Sequence, residues 1–340
     1  MQKEKPQFRM IISRTPVRIS FFGGGTDYPA YYQRHSGAVL GTTINKYTYV
    51  SVNTLSEFFD HNIRIGYSKT ELVKKPHEII HPSIRECLLH KNIDGNLDIH
   101  IFSDLPAKTG LGSSSSFTVG FLNALYALRG TKTSKQKLAE EAIHVEQKLI
   151  KENVGSQDQF HAAYGGLNII KFDSNSINVS PVIISKEKLK IFQNSLMIFY
   201  TGLTRFASDV VKEQIDKTES KSNDDYLLKM HDMVYEAENL ISHSSLEDFI
   251  KDLGSLLDES WQLKKQLSSK ISNSKIDEAY QIAKQAGAYG GKLCGAGSGG
   301  FLALLAPENK KNEIRENLKN LLEVDFKFEN QGSTIIYMKD

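Results

Sequence analysis

The chain has 340 residues, 40% of them hydrophobic and 24% charged, with a net charge of +2. That length predicts one large or two medium domains with ample core, and the composition is that of a globular protein. The near-neutral charge, with lysine and arginine scattered, excludes an electrostatic preference for nucleic acid. Two cysteines, Cys87 and Cys294, stand in no metal-type spacing, which predicts a reducing compartment without a disulfide framework. The opening MQKEKPQFRMII has no signal-peptide core and no apolar run is long enough to cross a bilayer, so the cytoplasm is the default expectation.

Residues 9–21 read as one or two short strands broken at Pro16. A glycine turn, Gly23 to Gly25, follows, with Thr26 or Asp27 able to cap a short helix. This stretch is either an ordinary tight turn or a backbone lining a polyol site, with Asp27 accepting hydroxyl protons. Residues 38–55, rich in β-branched and aromatic side chains, predict a strand or hairpin, and 62–67 another strand. A helical pattern covers 77–90, and a strand over 96–102 leads into Asp104–Leu122, DLPAKTGLGSSSSFTVGFL. There Gly110, Gly112 and four serines, Ser113 to Ser116, precede apolar residues at helical spacing (Phe117, Phe121, Leu125, Leu128). A glycine turn entering a helix N-terminus makes an anion site of free N–H groups and dipole, although the same residues can simply cap a helix.

A longer helix is predicted from Ser134 to about Asn153, its apolar stripe Leu138, Ala142, Val145 and Leu149, with Glu146 on the stripe's edge. Next, Ser156 caps a short helix that carries Asp158 in its first turn, where a carboxylate also favours the dipole. Strands follow at 167–172 and 177–184, and the hydrophilic 185–190 is the expected domain boundary, dividing 1–190 from 191–340. Beyond it come a strand at 196–200 and helices near 206–218, 225–243, 246–267 and 274–287. A glycine-rich loop then runs into a strand at 301–306, followed by a helix near 308–322 and strands at 324–328 and 333–338.

Gly295-Ala-Gly297-Ser-Gly299-Gly300 satisfies G-x-G-x-x-G, but the pattern predicts a helix before it and a strand after it, the reverse of a dinucleotide fingerprint. No Walker lysine motif, protein-kinase motif or H-E-x-x-H is present. What remains is two glycine-rich loops, a helix-edge carboxylate and an aspartate at a helix start. Those are the parts of a nucleoside triphosphate site: N–H donors for phosphates, oxygens for Mg²⁺ and a carboxylate for the nucleophilic hydroxyl.

TPVRISFFGGGTDY (15–28), LPAKTGLGSSSS (105–116) and KLCGAGSGG (292–300), in that order, resemble the three motifs of the galactokinase, homoserine kinase, mevalonate kinase and phosphomevalonate kinase (GHMP) superfamily. GGGTDYPAYY and GTTINKYTYVSV look most like the D-glycero-D-manno-heptose 7-phosphate kinases, with fucokinase-type enzymes sharing part of the texture. The resemblance implies an α+β fold of two domains, the first ribosomal S5 domain 2-like and the second ferredoxin-like, with the active site between them. It implies ATP and Mg²⁺, and transfer of the γ-phosphoryl to a sugar C1 hydroxyl on the way to bacterial surface polysaccharide. A fucokinase-like or other sugar 1-kinase, a non-catalytic sugar-binding paralogue and a decarboxylase of the mevalonate-diphosphate branch are the alternatives. A sugar phosphate and ATP are the implied ligands, without nucleic acid or membrane, and a homodimer is compatible.

Residue by residue, the resemblance makes Asp158 the catalytic base and Arg18 its basic neighbour, expected to lower its pKa. Lys108, Gly110, Leu111, Gly112, Ser113, Ser114 and Ser115 become the phosphate loop, braced by Gly295 and Gly297. Ser114 and Glu146 become the Mg²⁺ ligands, although motif two usually has alanine where Ser115 stands. Gly24, Gly25, Thr26, Asp27 and Tyr28 become the sugar wall. A phosphate on the substrate needs cations, for which Arg205 is the first candidate and Lys46 the second, either being equally readable as a structural or exposed cation.

Overall fold

Met10–Phe22 forms a single strand, β1, paired antiparallel along its length with the 18-residue β2 (Gly37–Thr54); the short helix α1 (Pro29–Tyr32) lies between them. Pro16 does not break β1. Pro16 is opposite Tyr47 and Val17 opposite Ile44, so the irregularity is absorbed by Asn45 and Lys46 bulging from β2. Proline has no N–H to give a ladder and is tolerated at such bulges. This computed structural model describes residues 10–107, 109–202 and 208–339.

The remaining strands of the first sheet are β3 (Ile63–Gly66), β4 (Thr70–Val73) and β5 (Leu97–Ser103), with helix α2 (Pro82–His90) between β4 and β5. After helices α3 (Ser113–Leu128), α4 (Lys135–Ile143) and α5 (Gln157–Tyr164) come β6 (Leu167–Phe172) and β7 (Ile177–Pro181). The order is β13-β1-β2-β5-β3-β4, and β6 pairs with the first half of the long β2 while β5 pairs with its second half. Strand β4 was not expected from the sequence. Phe117, Phe121, Leu125 and Leu138 of the helices pack on Ile11, Val50 and Ile99 of this sheet.

Helix α6 (Lys186–Ser195) occupies the stretch expected to be the domain boundary: Ser185 Oγ accepts from Lys188 N at 3.2 Å, capping it. The polar run was the exposed face of an amphipathic helix. Then follow β8 (Leu196–Tyr200), α7 (Ser208–Glu219), α8 (Asp224–His243), α9 (Phe249–Gln266), α10 (Ser274–Gln285), β9 (Gly290–Leu293), β10 (Phe301–Leu305), α11 (Lys311–Asn317), β11 (Leu322–Glu323), β12 (Phe328–Glu329) and β13 (Thr334–Lys339). The second sheet is antiparallel, ordered β11-β8-β10-β9. A strand, β9, therefore precedes the G-x-G-x-x-G loop where a helix was expected, and β10 follows it; no helix starts there to bind a dinucleotide.

The division at 190 fails at its far end, because β12 pairs with β2 and β13 with β1. The chain returns to the first sheet to finish it. Val17, Ile19, Phe21 and Phe22 of β1 are buried with Ile198, Val234, Phe249 and Phe301 of the second half. Strand β1 is thus covered on both faces, which explains its nearly unbroken apolar run. Its end, and the loop after it, lie where the two halves meet. No helix among the described residues is long and apolar enough to cross a membrane.

Candidate active site

At that meeting a cleft of about 480 Å³ opens, lined by residues from all three glycine-rich segments. Arg18 stands at its centre because β1 carries it to the junction. Its Nε donates to Asp158 Oδ1 and its Nη2 to Asp158 Oδ2, each at 2.8 Å, and its Nη1 donates to Gly110 O at 2.7 Å. The backbone adds Arg18 N to Leu111 O at 2.9 Å. One arginine thus locks the loop before α3 to the start of α5. The planar fork suits a carboxylate held by two parallel bonds.

Asp158 is the second residue of α5, and its side chain keeps 24% exposure towards the cleft. Its pKa is raised, against the sequence expectation: burial is the larger effect, and the Arg18 charge and hydrogen bonds pull it down only in part. A carboxylate so placed is more basic than an ordinary aspartate. His161, one turn further along α5, is driven by burial to about 3 and stays neutral, so it is no competing base.

The loop expected to hold phosphate is built from backbone. Gly112, the N-cap of α3, is in the left-handed conformation at φ 78°, and no side chain caps the helix. The serines expected to cap therefore leave the first N–H groups of α3 free for an anion. Ser113 and Ser114 face the cleft beside Gly110 and Gly112. The third motif braces this loop from behind: a Cβ on Gly110 would come within 2.3 Å of Cys294 O, and one on Gly295 within 2.4 Å of Gly110 Cα. Gly295 and Gly297 themselves line the cleft.

Leu111 turns away into the core, and Ser115 turns inward, donating from Oγ to Glu146 Oε2 at 2.9 Å. Of the serines, it is Ser115 that bonds Glu146, while Ser114, expected with Glu146 as a Mg²⁺ ligand, faces the cleft. Successive residues of a helix point about 100° apart, so Ser114 faces the cleft while Ser115 faces the interior. The predicted helix to Asn153 ends as α at Ile143 and continues as a π-turn over His144–Leu149. Such turns shift side chains off the α-helical stripe and recur at functional sites. Here it carries Glu146 from the stripe's edge to 1% exposure. Gln159 Nε2 donates to Glu146 Oε2, whereas Oε1 has no hydrogen-bond partner among the described residues. Burial pushes this carboxyl up to about 7 against the pull of Thr118, Gln159 and Ser115.

On the sugar wall, Gly24, Gly25, Asp27 and Tyr28 line the cleft. Asp27 is held by Gly25 N at 2.9 Å on Oδ1, and Gly155 packs so close that a Cβ there would meet Asp27 Oδ2 at 2.0 Å. Thr26 does not reach the cleft. Its Oγ1 donates to Gly23 O and Ala38 O, both at 2.8 Å, which pins the turn. Lys46 sits in the β2 bulge and is not among the residues that line the cleft. Lys108 and Arg205 lie outside the described residues. The sequence reading missed Ser20, Gln157, Lys264 and Lys292, all of which line the cleft. Lys292 opens the third motif and Gln157 precedes Asp158, so both stood within stretches already singled out; Lys264, on α9, gave no signal.

Two sequence profiles match the chain: GHMP kinases N terminal domain over residues 72–166 and GHMP kinases C terminal over 244–324. A D-glycero-alpha-D-manno-heptose 7-phosphate kinase of Campylobacter jejuni is 28% identical over 338 residues, covering 95% of this chain and 98% of that protein. A bifunctional fucokinase/GDP-fucose pyrophosphorylase of Arabidopsis thaliana is 26% identical, covering 93% of this chain but only 32% of that protein. The crystal structure of a D-glycero-D-manno-heptose 1-phosphate kinase from Bacteroides thetaiotaomicron superposes with a TM-score of 0.77 at 21% identity, covering 97% of this chain and all of that one. With both profiles matched and the phosphate loop, carboxylate and glycine brace assembled around one cleft, the chain belongs to the GHMP kinases and is a phosphotransferase acting on an alcohol group.

Proposed function

We propose that this kinase transfers the γ-phosphoryl of ATP to the anomeric hydroxyl of D-glycero-D-manno-heptose 7-phosphate, giving the 1,7-bisphosphate used for nucleotide-activated heptose and bacterial surface polysaccharide. The observation that carries the chemistry is Asp158, fixed through both oxygens by Arg18 and open to the cleft that the phosphate loop also lines. The full-length similarity to the Campylobacter heptose 7-phosphate kinase supports the choice of sugar.

In this reading the amides of α3 and the loop at Gly110–Gly112 hold the triphosphate. Asp158 accepts the C1 hydroxyl proton as that oxygen bonds to the γ-phosphorus and the bond to the β–γ bridging oxygen breaks, leaving ADP. Arg18 keeps the carboxylate aimed and adds positive charge beside the transferring group. The residues also fit a divalent cation. Glu146 Oε1 is buried and unpartnered, with the Ser115 hydroxyl on the same carboxylate and Ser114 at the cleft. Mg²⁺ usually takes one or two protein oxygens and keeps several waters, and when bound it screens phosphate charge. Glu146, with Ser115 or Ser114, would hold it.

Coupled ADP release across phosphorylated and unphosphorylated aldoses tests the substrate. The highest kcat/KM is expected on the heptose 7-phosphate; a higher value on fucose or galactose would reassign it, and no release on any sugar would make the chain a binding paralogue.

Glu146→Gln tests the cation. With its pKa raised from 4.5 to about 7, wild-type Glu146 binds a proton more tightly in the folded state than in the unfolded. Its contribution to stability is therefore present at acid pH and lost as pH rises through that window, by at most about 1.4 kcal/mol per pH unit. Thermal unfolding without divalent ions should show this fall in wild type and a flatter profile in the variant. Mg²⁺ should raise the melting temperature of wild type at pH 8 but not of Glu146→Gln. Equal stabilisation of both proteins removes Glu146 from the cation site.

A further inference from the structure

The glycine turn after β1 opens onto a polar recess that the chemistry at Asp158 does not use. A Cβ placed on Gly24 would stand 3.6 Å from Ser20 Oγ and 3.9 Å from both Gln157 Nε2 and Lys292 Nζ, so the glycine keeps a cradle open among them. Ser20, Gln157 and Lys292 are only 5%, 7% and 4% exposed, yet all three line the cleft. Ser20 Oγ and Gln157 Oε1 have no hydrogen-bond partner among the described residues. Buried polar atoms are nearly always paired, so orphans that face a cavity point to a ligand.

Lys264 closes the same end. Its Nζ donates to Gly24 O at 3.1 Å and reaches Gln214 Oε1 at 3.5 Å, while Lys292 Nζ donates to Phe21 O at 3.0 Å. The contacts of both ammonium groups are amide oxygens; neither is answered by a carboxylate among these bonds. Asp27 lies near enough to favour both charges, yet burial outweighs it at each lysine, so the pair stays costly unless a further anion arrives. Burial accordingly brings Lys264 down to about 8 and Lys292, which also feels Lys264, to about 7.

We propose that this recess holds the phosphomonoester end of the acceptor sugar, with Lys264 and Lys292 as its counter-charges and Ser20 and Gln157 as hydrogen-bond partners. The proposal rests on the sugar 7-phosphate reading above and names the residues that select that substrate. The atoms nearest the Gly24 cradle include none from the phosphate loop, whereas those nearest a Cβ on Gly112 are Asp158 and Arg18. The recess thus takes its walls from other atoms than the phosphate loop, while adjoining Arg18 through Ser20 on β1 and Asp158 through Gln157 on α5. Two cations suit an anion, the Ser20 hydroxyl and the Gln157 amide nitrogen can donate to it, and Gln157 Oε1 is left for a hydroxyl of the sugar. The site replaces Lys46, which the fold places elsewhere.

Lys264→Met and Lys292→Met keep the buried stems and remove the charges. With the full-length enzyme, each should raise KM for the heptose 7-phosphate by about 10–100-fold, the range of a charged hydrogen bond, leaving KM for unphosphorylated heptose and for ATP at wild-type values. Ser20→Ala removes a hydroxyl that bonds nothing among the described residues, so it should fold normally and raise the same KM. It answers the question even if a lysine variant fails to fold. An increased KM for ATP, or equal increases for both sugars, overturns the assignment. Wild type active on the 7-phosphate with unchanged KM in the three variants sinks this inference alone. Wild type inactive on the 7-phosphate but active on another sugar sinks the substrate reading, and this inference with it.

Discussion

Asp158→Asn should lower turnover by about 10²–10⁴-fold while leaving ATP binding in place, the range expected for removing a general base. Asparagine keeps the shape and can still accept a hydrogen bond from Arg18, but it cannot take the proton of the attacking hydroxyl. Arg18 would remain anchored through Gly110 O and Leu111 O, so the phosphate loop should hold its form. The pH profile gives a second reading of the same residue. Because burial raises the Asp158 pKa, the acid limb of kcat/KM in wild type should lie above the ordinary aspartate range, with activity rising as pH passes through it. That limb should vanish from the residual activity of the variant. Single-turnover rates and calorimetric ATP titrations separate the two effects. Near-normal turnover would take Asp158 out of the mechanism.

Gly110→Ala should strike the nucleotide side as heavily. Gly110 has φ +84°, and its new Cβ would lie 2.3 Å from Cys294 O and 3.2 Å from Gly295 Cα, contacts that only backbone movement can relieve. A side chain forced into that conformation costs about 1–3 kcal/mol before the collision is counted. The phosphate loop and the third motif must separate, and the amides aimed at the phosphates move with them. Loss of one such charge-assisted bond corresponds to about 10–100-fold weaker ATP binding. Sugar phosphate binding, measured without nucleotide, should change little, since the Gly24 recess shares no close contact with this pair. Unaltered ATP affinity in a folded variant would show that the brace does not shape the phosphate site.

The elements that carry the chemistry were legible in the sequence because their signals are local. Glycine at 110, 112 and 295 marks places where backbone meets backbone or takes a left-handed turn, and the structure uses each so. Asp158 at a helix start and Arg18 on an apolar strand were likewise readable as residue types in context. Most helices announced themselves by their apolar spacing, as α8 and α9 did.

Other features depend on what the chain meets after folding. Pro16 reads as a strand break, but pairing with β2 absorbs it in a bulge of the partner. Residues 185–190 read as a hydrophilic domain boundary, since only the packed face of α6 distinguishes a solvated helix from a loop. The π-turn at 144–149 has no side-chain periodicity of its own, so the burial of Glu146 and its pairing with Ser115 could not be seen. The return of β12 and β13 to the first sheet is a pairing across more than half the chain, which no local pattern encodes. Lys264 is the clearest case. On α9 it reads as one more helix-surface lysine, and it becomes a buried cation at the cleft only because α9 packs against the end of β1. Local propensity determined which segments turn and cap; long-range burial decided which charges were left lining the cleft.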